Sequence, residues 1–235
     1  MFKVYHLLRK KVNERSDDFD GVLADLRKVL MAHLSPSLLT NIFRVTFSGH
    51  QFENEYHPSS ELDYDALCEV TFDDEKMAFD TAVLWRHGNI INQFDQQIDQ
   101  PASPVLATRI IPIKEAPISH IQQKMVCPIS LKPGTTVENF RDYWRKEHSE
   151  VALRVMPDIH HYIQCHTLPA EYKLKNGPLY DGIAEFWFED LAKVLSDAGS
   201  SPEAAEDNYQ DQLQFMDTRD KLFLIVEPLK LEDQN

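Results

Sequence analysis

The sequence predicts an α+β protein in which two ferredoxin-like βαββαβ repeats set two four-stranded sheets face to face within one chain. Three observations predict it. Residues 62–74 align without a gap with residues 178–190, at an offset of 116. The same offset carries Pro112-Ile113-Lys114 onto Pro228-Leu229-Lys230, and a nearby offset of 121 carries Lys3 onto Lys124, Lys11 onto Lys132, Phe19 onto Phe140 and Pro36 onto Pro157. Each half also reads strand, helix, strand, strand, helix, strand, which is the split βαβ order. The expected domains are 1–115, a scaffold, and 118–235, which carries the chemistry.

The elements follow in order. Each half opens with an extended run rich in aliphatic and β-branched residues, Lys3 to Arg9 and Lys124 to Leu131. A helix follows. Its apolar stripe runs Phe19, Val22, Leu23, Leu26, Leu30 in the first half and Phe140, Tyr143, Trp144, Val151 in the second. Pro133-Gly134 marks the turn before the second of these helices, and Thr135 with Glu138 has capping-box spacing. Second strands are expected at Asn41 to Phe47 and His160 to Thr167, and third strands at Asp65 to Phe72 and Asp181 to Phe188. The stretch from His50 to Glu61 reads as a loop. Helical turns are expected at Asp74 to Arg86, Leu191 to Ala198 and Pro202 to Met216. Closing strands are expected at Val105 to Ile113 and Lys221 to Leu229.

Composition excludes several classes of function. The chain has 235 residues, 43% hydrophobic, so disorder throughout is excluded. It carries 24 basic and 38 acidic residues, a formal charge of −14, which argues against a nucleic-acid partner. No apolar run approaches the roughly 18 residues of a membrane span. No signal peptide is read at the start, and the three separated cysteines suit a reducing cytoplasm. Cysteine pairs, H-E-x-x-H, GxGxxG and P-loop patterns are absent, so no metal and no nucleotide cofactor are expected.

Alternation along the strands separates two faces. Ala66, Cys68, Val70, Phe72 and Gly182, Ala184, Phe186, Phe188 form an apolar face that should meet the helices. Asp65, Leu67, Glu69, Thr71 and Asp181, Ile183, Glu185, Trp187 should look between the sheets. In the second half, His160, Tyr162, Gln164 and His166 also share a face, expected to point into the same inter-sheet space. Their counterparts in the first half are Leu39, Asn41, Phe43 and Val45, so the chemistry is expected in the second half.

Three motifs there carry a family resemblance. Phe140 to His148 resembles the F-x-x-Y-W-x-x-x-H signature of the EthD family. Tyr162-Ile163-Gln164-Cys165-His166 is similar to its Y-x-Q-x-H strand, and Tyr180 to Phe188 to its Y-D-G-x-A-E-x-W-F strand. In the first half Leu23 and Arg27 stand at the tryptophan and histidine positions. The resemblance implies a dimeric α/β barrel. It also implies an association with breakdown of ethers and aromatic compounds, or with cyclase, dehydratase or decarboxylase steps of polyketide maturation.

The candidate catalytic residues are His148, His166, Tyr162 and Glu185, and the candidate substrate contacts are Gln164, Trp187, Asp181, Tyr143 and His160. A histidine moves a proton beside a carbonyl. Gln164 and Tyr162 clamp the developing oxyanion. Glu185, if it reaches His166, favours the charged imidazole. The expected function is a lyase or isomerase without cofactor, acting on an aromatic or polyketide-like molecule. The alternative is a non-catalytic ligand-binding or accessory protein of aromatic or ether degradation. Haem is conceivable because related barrel families hold it and a histidine ligand is available, although nothing in the spacing specifically supports it. The expected partner is a hydrophobic or aromatic small molecule, with a homodimer as a further association.

Overall fold

A computed structural model describes residues 1–12, 16–34, 40–52, 55–59, 63–87, 92–119, 121, 123–191, 202–219 and 221–229. Strand β1 (Phe2–Leu8) leads into helix α1 (Ser16–His33), then β2 (Thr40–Phe52), β3 (Glu55–Pro58) and β4 (Ala66–Phe72). Helix α2 (Glu75–Arg86) and β5 (Val105–Lys114) complete the first half. The second half runs β6 (Lys124–Ile129), α3 (Val137–Tyr143), a π-helical turn (Trp144–His148), α4 (Ser149–Val155), β7 (Ile159–Thr167), β8 (Gly182–Phe188), α5 (Pro202–Phe215) and β9 (Lys221–Pro228).

The strands lie in the order β2-β4-β1-β5-β7-β8-β6-β9, and β9 pairs back onto β2. Eight antiparallel strands therefore close into a barrel, which leaves no open edge in that ring. Each half contributes four strands in the same relative order. Hydrogen bonds repeat as well: the Lys10 amide donates to Asp65 Oδ2 (2.8 Å) and the Leu131 amide to Asp181 Oδ2 (2.7 Å). Strand β3 was expected to be loop. It pairs with the far end of β2, from Gly49↔Pro58 to Phe52↔Glu55. The expected helix over Leu191 to Ala198 lies, beyond Leu191, outside the described residues.

Local sequence explains the boundaries. Asp74 caps α2, its side chain accepting from the Met77 amide at 2.7 Å. The cap of α3 is Thr136, accepting from the Asn139 amide, one residue after the Thr135 that the spacing suggested. Gly134 supplies the positive φ of +86° that the preceding turn needs. Phe140, Trp144, His148 and Ala152 are all buried, at intervals of four residues. An α-helix turns by roughly 100° per residue, so that spacing drifts by about 40° at each step. The wider π-turn takes up the surplus and keeps the four side chains on one face.

The core has three layers. First-half helices cover one part of the barrel wall through Leu23, Leu26, Ala82 and Trp85 against Val4, Cys68, Val70 and Phe72. Second-half helices cover the other through Phe140, Trp144 and Phe215 against Tyr162, Ala184, Phe186 and Phe188. The barrel interior is filled by Tyr5, Leu7, Leu67, Leu106, Ile183 and Leu224 and their neighbours. The third strands therefore present the faces expected of them.

Candidate functional site

At the centre of the barrel sit four charges, Lys3, Glu69, Lys124 and Glu185, each no more than 6% exposed. Lys3 Nζ donates to Glu69 (3.2 Å) and Glu185 (3.0 Å), and Lys124 Nζ to Glu69 (2.7 Å) and Glu185 (3.0 Å). Tyr5 Oη donates to Glu185 at 2.6 Å. Burial opposes ionisation of Glu185, yet Lys124 and Lys3 hold its carboxyl well below the usual range. This closed, neutral network knots the two halves together. It corrects two expectations: Glu185 meets lysines rather than His166, and the space between the sheets is packed. Trp187 is also barrel packing, under the Lys124 ammonium (5.2 Å) and edge-on to His161 (4.8 Å).

The polar set on β7 points the other way. Tyr162 pairs with Phe186, Gln164 with Ala184 and His166 with Gly182, and all of these face the helices. A register shift between Ile159 and His161 separates this set from His160. His160 donates from Nε2 to Pro117 O (2.8 Å) and approaches Glu189, at the strand entrance. Asp181 is also removed from the set: Tyr172 Oη and the Leu131 amide occupy its two oxygens.

Beneath α3 and the π-turn, the β7 residues form a connected chain. Gln164 Nε2 donates to the Trp144 carbonyl (2.8 Å) and to Tyr162 Oη (2.9 Å). Gln164 Oε1 is then the acceptor facing His166, so the imidazole donates from Nε2, at 3.0 Å. Nδ1 keeps its lone pair and has no hydrogen-bond partner among the described residues. Both amide hydrogens of Gln164 are spent, so it cannot clamp an oxyanion as the sequence suggested. The Trp144 indole stacks on His166 (4.6 Å between centroids, 8° between planes). Gly182 makes room for it, since a Cβ there would lie 2.4 Å from Trp144 Cζ3. Burial, then Arg141 and Arg145, lower the His166 pKa to about 3, so the ring is neutral at pH 7.

His148 occupies the same helix layer. Its Nδ1 donates to Asp211 Oδ2 at 2.5 Å, and Tyr143 Oη donates to Asp211 Oδ1 at 2.9 Å. Nε2 has no hydrogen-bond partner among the described residues. Burial lowers the His148 pKa, while Asp211 works in the opposite direction. Burial and Asp211 push Tyr143 up to about 12, keeping its hydroxyl protonated. Asp211 was not singled out from the sequence. A signal was present: Asn208, Asp211, Gln212 and Phe215 share one face of α5 at i, i+3, i+4, i+7, a polar stripe where apolar residues are the rule.

Buried polar atoms without partners gather in this layer. Arg141 Nε, Trp144 Nε1, Asn208 Oδ1 and Gln212 Oε1 are four of six such atoms among the described residues. Burial raises the Tyr162 pKa; Gln164 and the nearby Trp144 indole work the other way, though the indole lacks hydrogen-bond geometry. Unmet buried groups are rare and call for a ligand or water. A cavity of about 270 Å³ opens beside one of them, Arg141, and is lined also by Arg109, Arg145, His166, Ile111 and Leu168 among others. Trp144, Tyr162, Phe186 and Phe188 fill the space under the described helices, each at most 5% exposed. Among the described residues, no cluster of three or more His, Cys, Asp or Glu could hold a metal, and no helix is long and apolar enough to cross a membrane.

Fold and site together define a closed eight-stranded α/β barrel with a polar chamber between sheet and helices in its second half. The EthD domain model matches residues 132–219, which include all three motifs and the whole of α5. The family resemblance is therefore borne out over that segment. No curated protein sequence matches. Solved structures covering nearly all of the chain include a "Putative monooxygenase" from Fusobacterium nucleatum subsp. nucleatum. It has 14% identity and a TM-score of 0.49, covering 100% of this chain and 94% of the other. The chlorite dismutase of Candidatus Nitrospira defluvii in complex with imidazole has 11% identity and a TM-score of 0.48, with coverage of 97% and 91%.

Proposed function

We propose that the protein is a small-molecule enzyme that moves protons on an aromatic or polyketide-like carbonyl compound without a cofactor. The reaction class is a lyase or isomerase step: dehydration, cyclisation or decarboxylation. It works from the helix side of the second half, with residues 118–235 carrying the chemistry and residues 1–115 serving as a duplicated scaffold.

One observation carries this reading. His166 is a neutral imidazole at the wall of a cavity, with its Nε2–H fixed by Gln164 and its Nδ1 lone pair unengaged among the described residues. Nδ1 is the atom placed to take a proton from carbon beside a carbonyl, Gln164 Oε1 supports the imidazolium that results, and an anion on Arg141 and Arg145 cancels the two charges that, after burial, depress its basicity. Arg141 and Arg145, beside the imidazole, offset negative charge on the bound substrate, in place of the clamp first assigned to Gln164 and Tyr162. His148, oriented by Asp211 through Nδ1, is a second proton carrier in the same layer. Tyr162 and Tyr143 hold the two histidines' partners in place.

The test is incubation in D2O with a panel of aromatic and polyketide-like carbonyl compounds, read by mass spectrometry. Deuterium uptake, or loss of water or carbon dioxide, is expected with the native chain and should disappear in His166→Asn. A bound compound that never changes mass supports the carrier alternative. Full turnover in both His166→Asn and His148→Asn overturns the proton-transfer scheme.

A further inference from the structure

The geometry points to a carboxylate-binding site in the cavity between β5, β7 and α3, made by Arg109, Arg141 and Arg145, so that the substrate is an aromatic or similarly apolar carboxylic acid. This deepens the reading above and rests on it only for the acid's being a substrate; the anion site stands on its own geometry.

The charge pattern is the first argument. The chain carries −14, yet three guanidiniums line one cavity and Asp142 is the single acid among its lining residues; Arg109 is already paired with Glu75 at 2.6 Å, so Arg141 and Arg145 supply most of the unmet positive charge. Asp142 is drawn off by Lys146 at 3.1 Å, and lies 3.9 Å from Arg145. A cavity of one sign in a protein of the other attracts the matching small ion and focuses its field.

Arg141 supplies the second argument. It donates from Nη2 to the Thr167 carbonyl and lies over the Tyr172 ring at 5.7 Å, but its buried Nε has no hydrogen-bond partner among the described residues. Leaving a charged N–H buried and unmet is unfavourable, and an acceptor arriving in the cavity relieves it. Arginine, with its planar fork of donors, suits a planar carboxylate better than a lysine would. Both Arg141 and Arg145 act on His166 electrostatically, so an anion seated on them sits beside the imidazole. The rest of the lining includes Ile111, Leu168 and Pro169, an apolar wall for the body of the acid.

The experiment is calorimetric titration at low ionic strength with benzoate, benzamide and inorganic phosphate. Benzoate should bind saturably, and benzamide should bind about tenfold to a hundredfold more weakly, the weight of a charge-assisted hydrogen bond. Arg145→Gln, at a half-exposed position, should weaken benzoate by about tenfold. Arg141→Gln should do at least as much, with circular dichroism checking its fold. Equal binding of benzoate and benzamide, or native affinity in Arg145→Gln and Arg109→Gln together, overturns the site. Phosphate binding as tightly as benzoate overturns the carboxylic-acid class, because phosphate makes no use of the apolar wall. Benzoate binding with no deuterium exchange on any compound leaves this site standing and removes the enzyme reading. Exchange on an uncharged ketone with no benzoate binding does the reverse.

Discussion

Replacing Glu185 by glutamine should unfold the barrel more easily than any surface change. The Glu185 carboxylate accepts from Lys3, Lys124 and Tyr5, and is 0% exposed. In Glu185→Gln the quartet passes from neutral to one net positive charge. Lys3 and Lys124 then share Glu69 alone, at 3.2 and 2.7 Å. Removing one partner of a buried ion pair costs about 3–5 kcal/mol. For a chain of this size that is a fall in Tm of about 6–20 °C. Thermal unfolding followed by circular dichroism reads it directly. The double variant Lys3→Met with Glu185→Gln restores neutrality and should recover part of the loss, because residues in contact couple by about 0.5–3 kcal/mol. The pH dependence has a definite sign. Glu185 has a depressed pKa, so its contribution is complete above the unfolded carboxylate range, about 4.3, and is lost as pH falls through the lower folded value. The gap between native and variant should therefore be constant near neutrality and close in acid. A Tm loss under about 2 °C, or strict additivity in the double variant, would refute the account of the quartet as the knot between the halves.

Three further outcomes follow from the same geometry. Gly182→Ala places a Cβ 2.4 Å from Trp144 Cζ3 and 2.9 Å from the Cys165 carbonyl. It should cost about 1–3 kcal/mol and shift tryptophan fluorescence; native stability in urea would show that the indole lies elsewhere. Asp211→Asn removes the anion that holds the His148 Nδ1–H, so the His148 pKa should fall further, as read by NMR titration, and a rise would contradict the pairing. His6 and His166 both have pKa values lowered to about 3, chiefly by burial. Between about pH 6.5 and 3 the unfolded chain takes up two protons that the folded one refuses, so stability should drop by about 4 kcal/mol from pH 7 to pH 5. An unchanged urea midpoint over that interval would contradict it.

Much of the fold was legible because strand alternation and the offsets of 116 and 121 constrain each other. Lys3 with Lys124 and Glu69 with Glu185 were matched by offset alone, and the structure gathers all four in one network. The site was legible in membership and not in direction. Tyr162, Gln164 and His166 were read as facing the barrel interior because polar groups suggested an inter-sheet pocket. Pairing decides otherwise: each sits opposite Phe186, Ala184 or Gly182, residues already assigned to the helix face. Strand period alone leaves open which face is which until a neighbour's register is known. Glu185, Trp187 and Asp181 share motifs with the site, yet their side chains serve the barrel interior or a strand entrance. Asp211 and Arg141 were missed for another reason. Their roles depend on how α5 packs on the π-turn and how α3 crosses β7, contacts distant in sequence.

The central claim is that ligands bind between sheet and helices in the second half, beside His166, and not inside the barrel or at its mouth. A crystal structure with the tightest-binding aromatic carboxylate tests it most directly. The account expects the carboxylate on Arg141 and Arg145, with the aromatic body against Ile111 and Leu168 and a reactive carbon near His166 Nδ1. Ligand density instead beside the paired Tyr64 and Tyr180 hydroxyls, where a cavity of about 560 Å³ opens, would contradict it.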